Sequence, residues 1–158
     1  GWKLRNNEIA VRILDPRQMR FEFSSTLTED TQRGHPRWEI DEDVGTASFV
    51  LVTNRPAPED IMLTFDETTT IEGFEVQGTD APHVSTRAKT VVFPEGATRL
   101  EVVADITDTP SGDEGVLNLN GLDSDGNPIG GFTIIDILTG NAASQNMEEI
   151  YVVVRNLN

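Results

Sequence analysis

An all-β domain is what this sequence predicts, on three observations. Short runs with strict two-residue alternation recur along the chain, as in Met19-Arg20-Phe21-Glu22-Phe23 and in Leu100, Val102, Ala104 and Ile106 of the run 98–106. Gly, Pro, Asp and Asn cluster between these runs and mark turns. No window sets apolar residues at i, i+3, i+4 and i+7 over three turns, so helix is expected to be nearly absent. Short strands at near-regular spacing, separated by such turns, indicate an antiparallel β-sandwich or barrel.

The elements follow in chain order. Residues 1–16 read as an arm whose segment Glu8–Leu14 alternates, with Ile9, Val11 and Ile13 on one face, and Asp15-Pro16 ends it. Met19–Phe23 is a half-buried strand. Residues 24–36 are polar and unpatterned and read as a loop. Arg37–Ile40 is a short strand, Asp41-Glu42-Asp43-Val44-Gly45 an acidic corner, and Thr46–Thr53 a long strand returning to the core. Asn54–Asp60 turns on two prolines into Ile61–Phe65, expected to form a hairpin with Thr46–Thr53. Thr69–Val76 reads as a loose edge strand with a bulge at Gly73, and 77–87 as loop. Lys89–Phe93, the tight turn Pro94–Ala97 and Thr98–Ile106 follow. Asp108–Gly115 is a second acidic corner, and Val116–Asn120 another strand. Leu122–Pro128 turns the chain into a core strand, Gly131–Leu138. Residues 139–146 are loop, and Met147–Arg155 is the last strand.

The 158 residues fit one domain, read as the arm 1–16 and a sandwich over 17–158, large enough to need no covalent staple. There is no cysteine, hence no disulfide and no thiolate metal site. No run of about 18 apolar residues suggests a membrane span. No signal-peptide pattern is visible, and a start at Gly1 reads as a processed or excised chain. The formal net charge is −15, unevenly spread: residues 1–37 carry seven basic against five acidic groups, a net +2, which leaves −17 for the rest. Such a body repels nucleic acid and anionic lipid and attracts cations and basic partners, although an acidic surface also serves solubility alone.

The order of motifs resembles the Calx-beta domain, an immunoglobulin-like sandwich found in ion exchangers, integrins and large bacterial surface proteins. Four places carry the resemblance: Ile40–Phe49 with its acidic-glycine turn; Glu72-Gly73 together with Gly78-Thr79-Asp80; Thr90–Thr98 with its strand, proline-glycine turn and strand; and Asp108 through Gly112-Asp113-Glu114-Gly115-Val116-Leu117. It covers about residues 19–138 by motif order, leaving additional N- and C-terminal strands outside. The resemblance implies calcium held by loops at one end of the sandwich. By position, Glu42, Asp80 and Asp108 match ligand-bearing places, with Asp113 and Glu114 nearby. Calcium takes six to eight oxygens, and two family acids are replaced here, by Thr107 and Ser111. A solvated acidic rim is the competing reading.

Other constellations are weaker. Asp123-Ser124-Asp125-Gly126-Asn127 imitates an EF-hand start, but its glycine is fourth rather than sixth and the twelfth residue is Ile134 rather than a glutamate, so a turn is expected. His35 and His83 each sit beside a proline, and no Gly-x-Ser-x-Gly is present, so catalysis is not expected. A pair of carboxylates of glycosidase type stays open from sequence. Trp38 is expected in the core and Trp2 as a contact of the arm. A carbohydrate platform built on these rings is the alternative.

The sequence therefore reads as a non-enzymatic structural or adhesive module of an extracellular appendage, filament, cell-surface protein or virion, stiffened by calcium. Its expected partners are other copies of itself or neighbouring domains, with no nucleic acid and no membrane insertion. The apolar segments Ile9–Leu14 and Ile150–Val154 either pair within the chain or complete the sheet of a neighbouring copy. A carbohydrate-binding accessory module of a secreted enzyme is the alternative.

Overall fold

Alternating residues become strands because one face of each can be buried while the ladder satisfies the backbone. The computed structural model describes residues 17–22, 27–30, 34–67, 71–78, 88–110 and 113–156. Among these residues eleven strands run in order: β1 (Arg17–Glu22), β2 (Leu27–Asp30), β3 (His35–Asp41), β4 (Thr46–Thr53), β5 (Ile61–Glu67), β6 (Phe74–Val76), β7 (Ala88–Phe93), β8 (Arg99–Ile106), β9 (Asp113–Asn120), β10 (Phe132–Ile134) and β11 (Met147–Arg155). Among the described residues, helix is confined to two short 3-10 turns, Ile129–Gly131 and Ser144–Asn146.

The strands form two sheets, one of five strands in the order β10-β1-β4-β8-β6 and one of six in the order β2-β3-β11-β9-β5-β7. The all-β sandwich expected from the alternation is what the pairings build. Its inner faces hold one apolar core that runs from Met19 to Val154. Phe49 of β4 is the hub. Its ring meets Phe21 at 5.1 Å, Trp38 at 5.2 Å and Phe65 at 5.7 Å, each edge-on, and so ties the two sheets together. Trp38 is fully buried, as expected, but its indole Nε1 has no hydrogen-bond partner among the described residues.

Four expectations need correction. The polar stretch 24–36 contains β2, which pairs antiparallel with β3 from Leu27↔Trp38 to Asp30↔His35; a single apolar anchor, Leu27, leaves no alternation to read. Thr46–Thr53 and Ile61–Phe65 do not form a hairpin. β4 pairs with β1 and β8, while β5 lies in the other sheet beside β7 and β9. The connection crosses the core edge at buried Ala57, whose N–H donates to Ala97 O at 3.0 Å and whose carbonyl accepts Gly96 N–H at 2.7 Å. The strand expected over Gly131–Leu138 stops at Ile134. Asp136 Oδ1 accepts the N–H groups of Leu138 and Thr139 and turns the chain away. Finally the sheets are mixed rather than antiparallel throughout, since β1–β10 and β3–β11 are parallel.

Ile150–Val154, outside the stretch that carries the family resemblance and expected either to pair within the chain or to complete a neighbour's sheet, pairs within the chain at the centre of the six-stranded sheet in β11, between β3 and β9. The segment Ile9–Leu14 lies outside the described residues. β6 is the edge strand expected near Gly73, and it is three residues long.

Candidate functional site

Strand phase places the first buried acid. Pro36, Trp38 and Ile40 point inward from β3, and Glu42, two residues further, keeps that phase and is 2% exposed. Its Oε2 accepts the Thr109 N–H at 3.4 Å, and its own N–H donates to Arg155 O at 3.1 Å. Two more bonds stitch the neighbouring loops: Ile106 N–H to Gly45 O at 2.9 Å, and Thr107 N–H to Gly73 O at 2.8 Å. Gly73 is required here, because φ is +77° and a Cβ would sit 2.6 Å from Thr107 O. The corner after β3, the turn before β6 and the segment after β8 thus meet at one end of the sandwich. A depression of about 380 Å³ opens there, with Glu72, Glu75, Asp105 and Asp108 on its walls.

Of the five carboxylates expected to hold calcium, Glu42 is buried at this end, while Asp108 and Glu114 are exposed. Asp113 is described in its backbone alone; it pairs with Val154, one residue from Arg155, which puts it at the same end. Asp80 lies outside the described residues. Among the described residues, no group of three or more histidines and carboxylates converges to hold a metal ion. Glu42, Asp108 and Glu114 therefore do not by themselves fit a calcium ion, which asks for six to eight oxygens. Glu72 and Asp105 share the depression, and the sequence reading missed them; Glu72 adjoins the glycine that pins two loops together, and that was the available signal.

A second buried acid stands elsewhere. Glu148 is 3% exposed, in phase with Ile150, Val152 and Val154 on the inward face of β11. Its Oε2 accepts the Ile137 N–H at 2.8 Å and its Oε1 the Glu149 N–H at 3.2 Å. Burial pushes its pKa up to about 7 against those two bonds, with Asp136 and Glu149 adding like charge. Beside it His35 Nε2 and Glu149 Oε2 lie 2.9 Å apart, and a depression of about 290 Å³ separates them from Asp136. The two-residue phase of Glu148 was readable in the sequence; the loop that closes over it was not.

The remaining candidates are resolved locally. Asp123 Oδ1 accepts the N–H groups of Asp125 and Asn127, both at 2.9 Å, and Gly126 takes φ +82°, so this segment is a turn closed on itself. Tyr151 is buried beneath the Arg37 guanidinium, 5.4 Å above its ring, so neither it nor Trp38 presents a face for sugar stacking. Trp2 and His83 lie outside the described residues. No helix among the described residues is long and apolar enough to cross a membrane, which says nothing of a β-barrel.

No family model matches the chain, and no curated protein matches it. Among solved structures it is similar to the apo-form Calx CBD1 domain, with 12% identity over 90% of this chain and 99% of that one and a TM-score of 0.45. It is also similar to the calcium binding domain CBD12 of CALX1.1, at 13% identity over 86% of this chain and 45% of that one, TM-score 0.42. A two-domain protein of unknown function from Bacteroides fragilis is 10% identical over 94% of this chain and 48% of that one, TM-score 0.45. The chain spans about half the length of these last two.

Proposed function

We propose that this chain is a non-enzymatic structural module of an extracellular or cell-surface assembly, whose copies associate by strand exchange. One observation carries the reading. A core running from Met19 to Val154 lies between two sheets, and a strand-patterned segment, Glu8–Leu14, precedes it in an arm of net charge +1. The rest of the chain carries −16, so arm and body attract each other. A rigid sandwich with a complementary extension is built for repeating, head-to-tail contact, which produces filaments when the rotation does not close a ring. Electron microscopy and size-exclusion chromatography of the native chain test it. Polymers that vanish when residues 1–16 are deleted are expected, and a monomer at high concentration would reject the idea.

Calcium is the second reading, favoured by the meeting of the Glu42, Gly73 and Asp108 segments at one end. Melting with calcium and with chelator tests it. A midpoint that rises at millimolar calcium, and no longer does so in Glu42→Gln, supports a stiffening ion; an unchanged midpoint rejects it.

A further inference from the structure

Among the described residues, one edge of β8 is covered over only part of its length. β8 is paired along its full length on one side, from Thr46↔Asp105 to Val52↔Arg99 of β4. On its other side β6 covers Ala104–Ile106, and Gln77 N–H reaches Val103 O at 2.8 Å. There the chain leaves the five-stranded sheet: Gly78 lies so close to β7 that a Cβ would sit 2.3 Å from Thr90 O. Backbone groups two residues apart point to the same side of a strand, so Glu101 and Arg99 present N–H and C=O where Val103 does. Among the described residues no strand pairs with them on that side. A groove of about 330 Å³ remains between β8 and β7, lined by Leu100, Val102, Val91 and Val92, with Val92 41% exposed and Glu101 at the rim.

We propose that residues 8–14 of a neighbouring copy add a strand along Arg99–Val103 and cover this edge. This rests on the strand-exchange reading and names its acceptor. The pattern of the donor matches the groove. With Arg12 opposite Glu101, Val11 and Ile13 fall opposite the inward-facing Leu100 and Val102, and the two charges pair on the outer face. The copy's own arm cannot supply that register. Glu101 stands opposite Val50, and Val50 opposite Glu22, so an added strand lies three spacings from β1. Arg17 is a further five residues along β1, which makes the path from Arg17 to the seat of Arg12 roughly 22 Å, against at most about 18 Å for five extended residues. Donor and acceptor are different surfaces, so each copy that gives a strand keeps its own β8 edge for the next.

The absence of native cysteine allows a direct test on full-length chains. Arg12→Cys and Glu101→Cys are placed in separate chains, mixed and mildly oxidised. Directly opposed residues on neighbouring strands lie about 5.5 Å apart at Cα, within disulfide reach. A linked dimer in the mixture, absent from either variant alone, is expected. Arg12→Glu should abolish assembly of otherwise native chains, and mixing Arg12→Glu with Glu101→Arg should restore it. If the native chain polymerises but the mixed cysteines never link, the β8 edge is occupied by something else, residues 79–87 included, and the acceptor is wrong while strand exchange stands. If a chain carrying both cysteines links within itself as a monomer, the arm serves its own copy and the proposed occupant is wrong. If every chain stays monomeric, strand exchange itself fails.

Discussion

Glu148 shows how much one residue can couple the fold to pH. Its carboxyl is buried on the inward face of β11, where burial raises the pKa from 4.5 to about 7. The folded chain therefore holds this proton more tightly than the unfolded chain does. The contribution to stability is fully present below about pH 4.5 and is lost as pH rises through 7, an effect on the order of 2 kcal/mol after solvent screening. Chemical denaturation at pH 5 and pH 8 should show that loss, and Glu148→Gln should flatten it; an unchanged slope would mean that Glu148 titrates as an exposed acid. Asn146 is the companion case. It adopts φ +52°, which asparagine tolerates better than most residues, and joins three segments. Its Oδ1 accepts Ile134 N–H at 2.6 Å, and its Nδ2 donates to Gly121 O at 2.9 Å and Phe132 O at 3.4 Å. Asn146→Ala should lower stability by about 2–4 kcal/mol in urea unfolding, through the orphaned backbone groups and the strained φ. Both buried acids, Glu42 and Glu148, were legible as glutamates in phase with an inward-facing apolar row. Nothing local announced Asn146, because its partners come from distant strands.

At the scale of elements, alternation located the strands well and their neighbours poorly. β4 was bounded correctly from Thr46 to Thr53, and the shared face of Leu100, Val102, Ala104 and Ile106 is the inward face of β8. Periodicity reports which face is buried, not which strand lies alongside. The crossing at Ala57 that separates β4 from β5 depends on contacts with Gly96 and Ala97, some forty residues away in the sequence. Parallel pairing of β11 with β3 is likewise invisible locally, although Arg155 reinforces it by pairing with Asp41 at 2.7 Å and with Glu39 at 3.4 Å. Those pairs are solvent-exposed and contribute at most about 1 kcal/mol each. The turn before β6 is more sensitive. Gly73→Ala should cost about 2–3 kcal/mol, from the left-handed φ and the contact with Thr107 O, and a midpoint within experimental error of native would contradict that packing.

For the whole molecule, stability rests on the contact between sheets, and the proposed association rests on the edge of β8 that no described strand covers. Phe49→Ala removes the ring shared by Phe21, Trp38 and Phe65 and should cost about 3–5 kcal/mol, with both sheets lost in one transition. The acidic end was foreshadowed by motif order, since Glu42, Gly73 and Asp108 do converge there. Its described carboxylates do not assemble into a metal group, because spacing along the chain says nothing of the direction in which each side chain leaves its turn. The stretch of β8 left uncovered among the described residues could not be read from sequence at all, for it depends on where β6 ends and on Gly78 approaching β7. The most direct test of self-association through the arm is sedimentation velocity of the full chain over a concentration series, at low and high salt, beside a chain lacking residues 1–16. Species larger than the 17.4 kDa monomer should grow with concentration, shrink at high salt and be absent from the truncated chain. A 17.4 kDa monomer at every concentration and salt would contradict it.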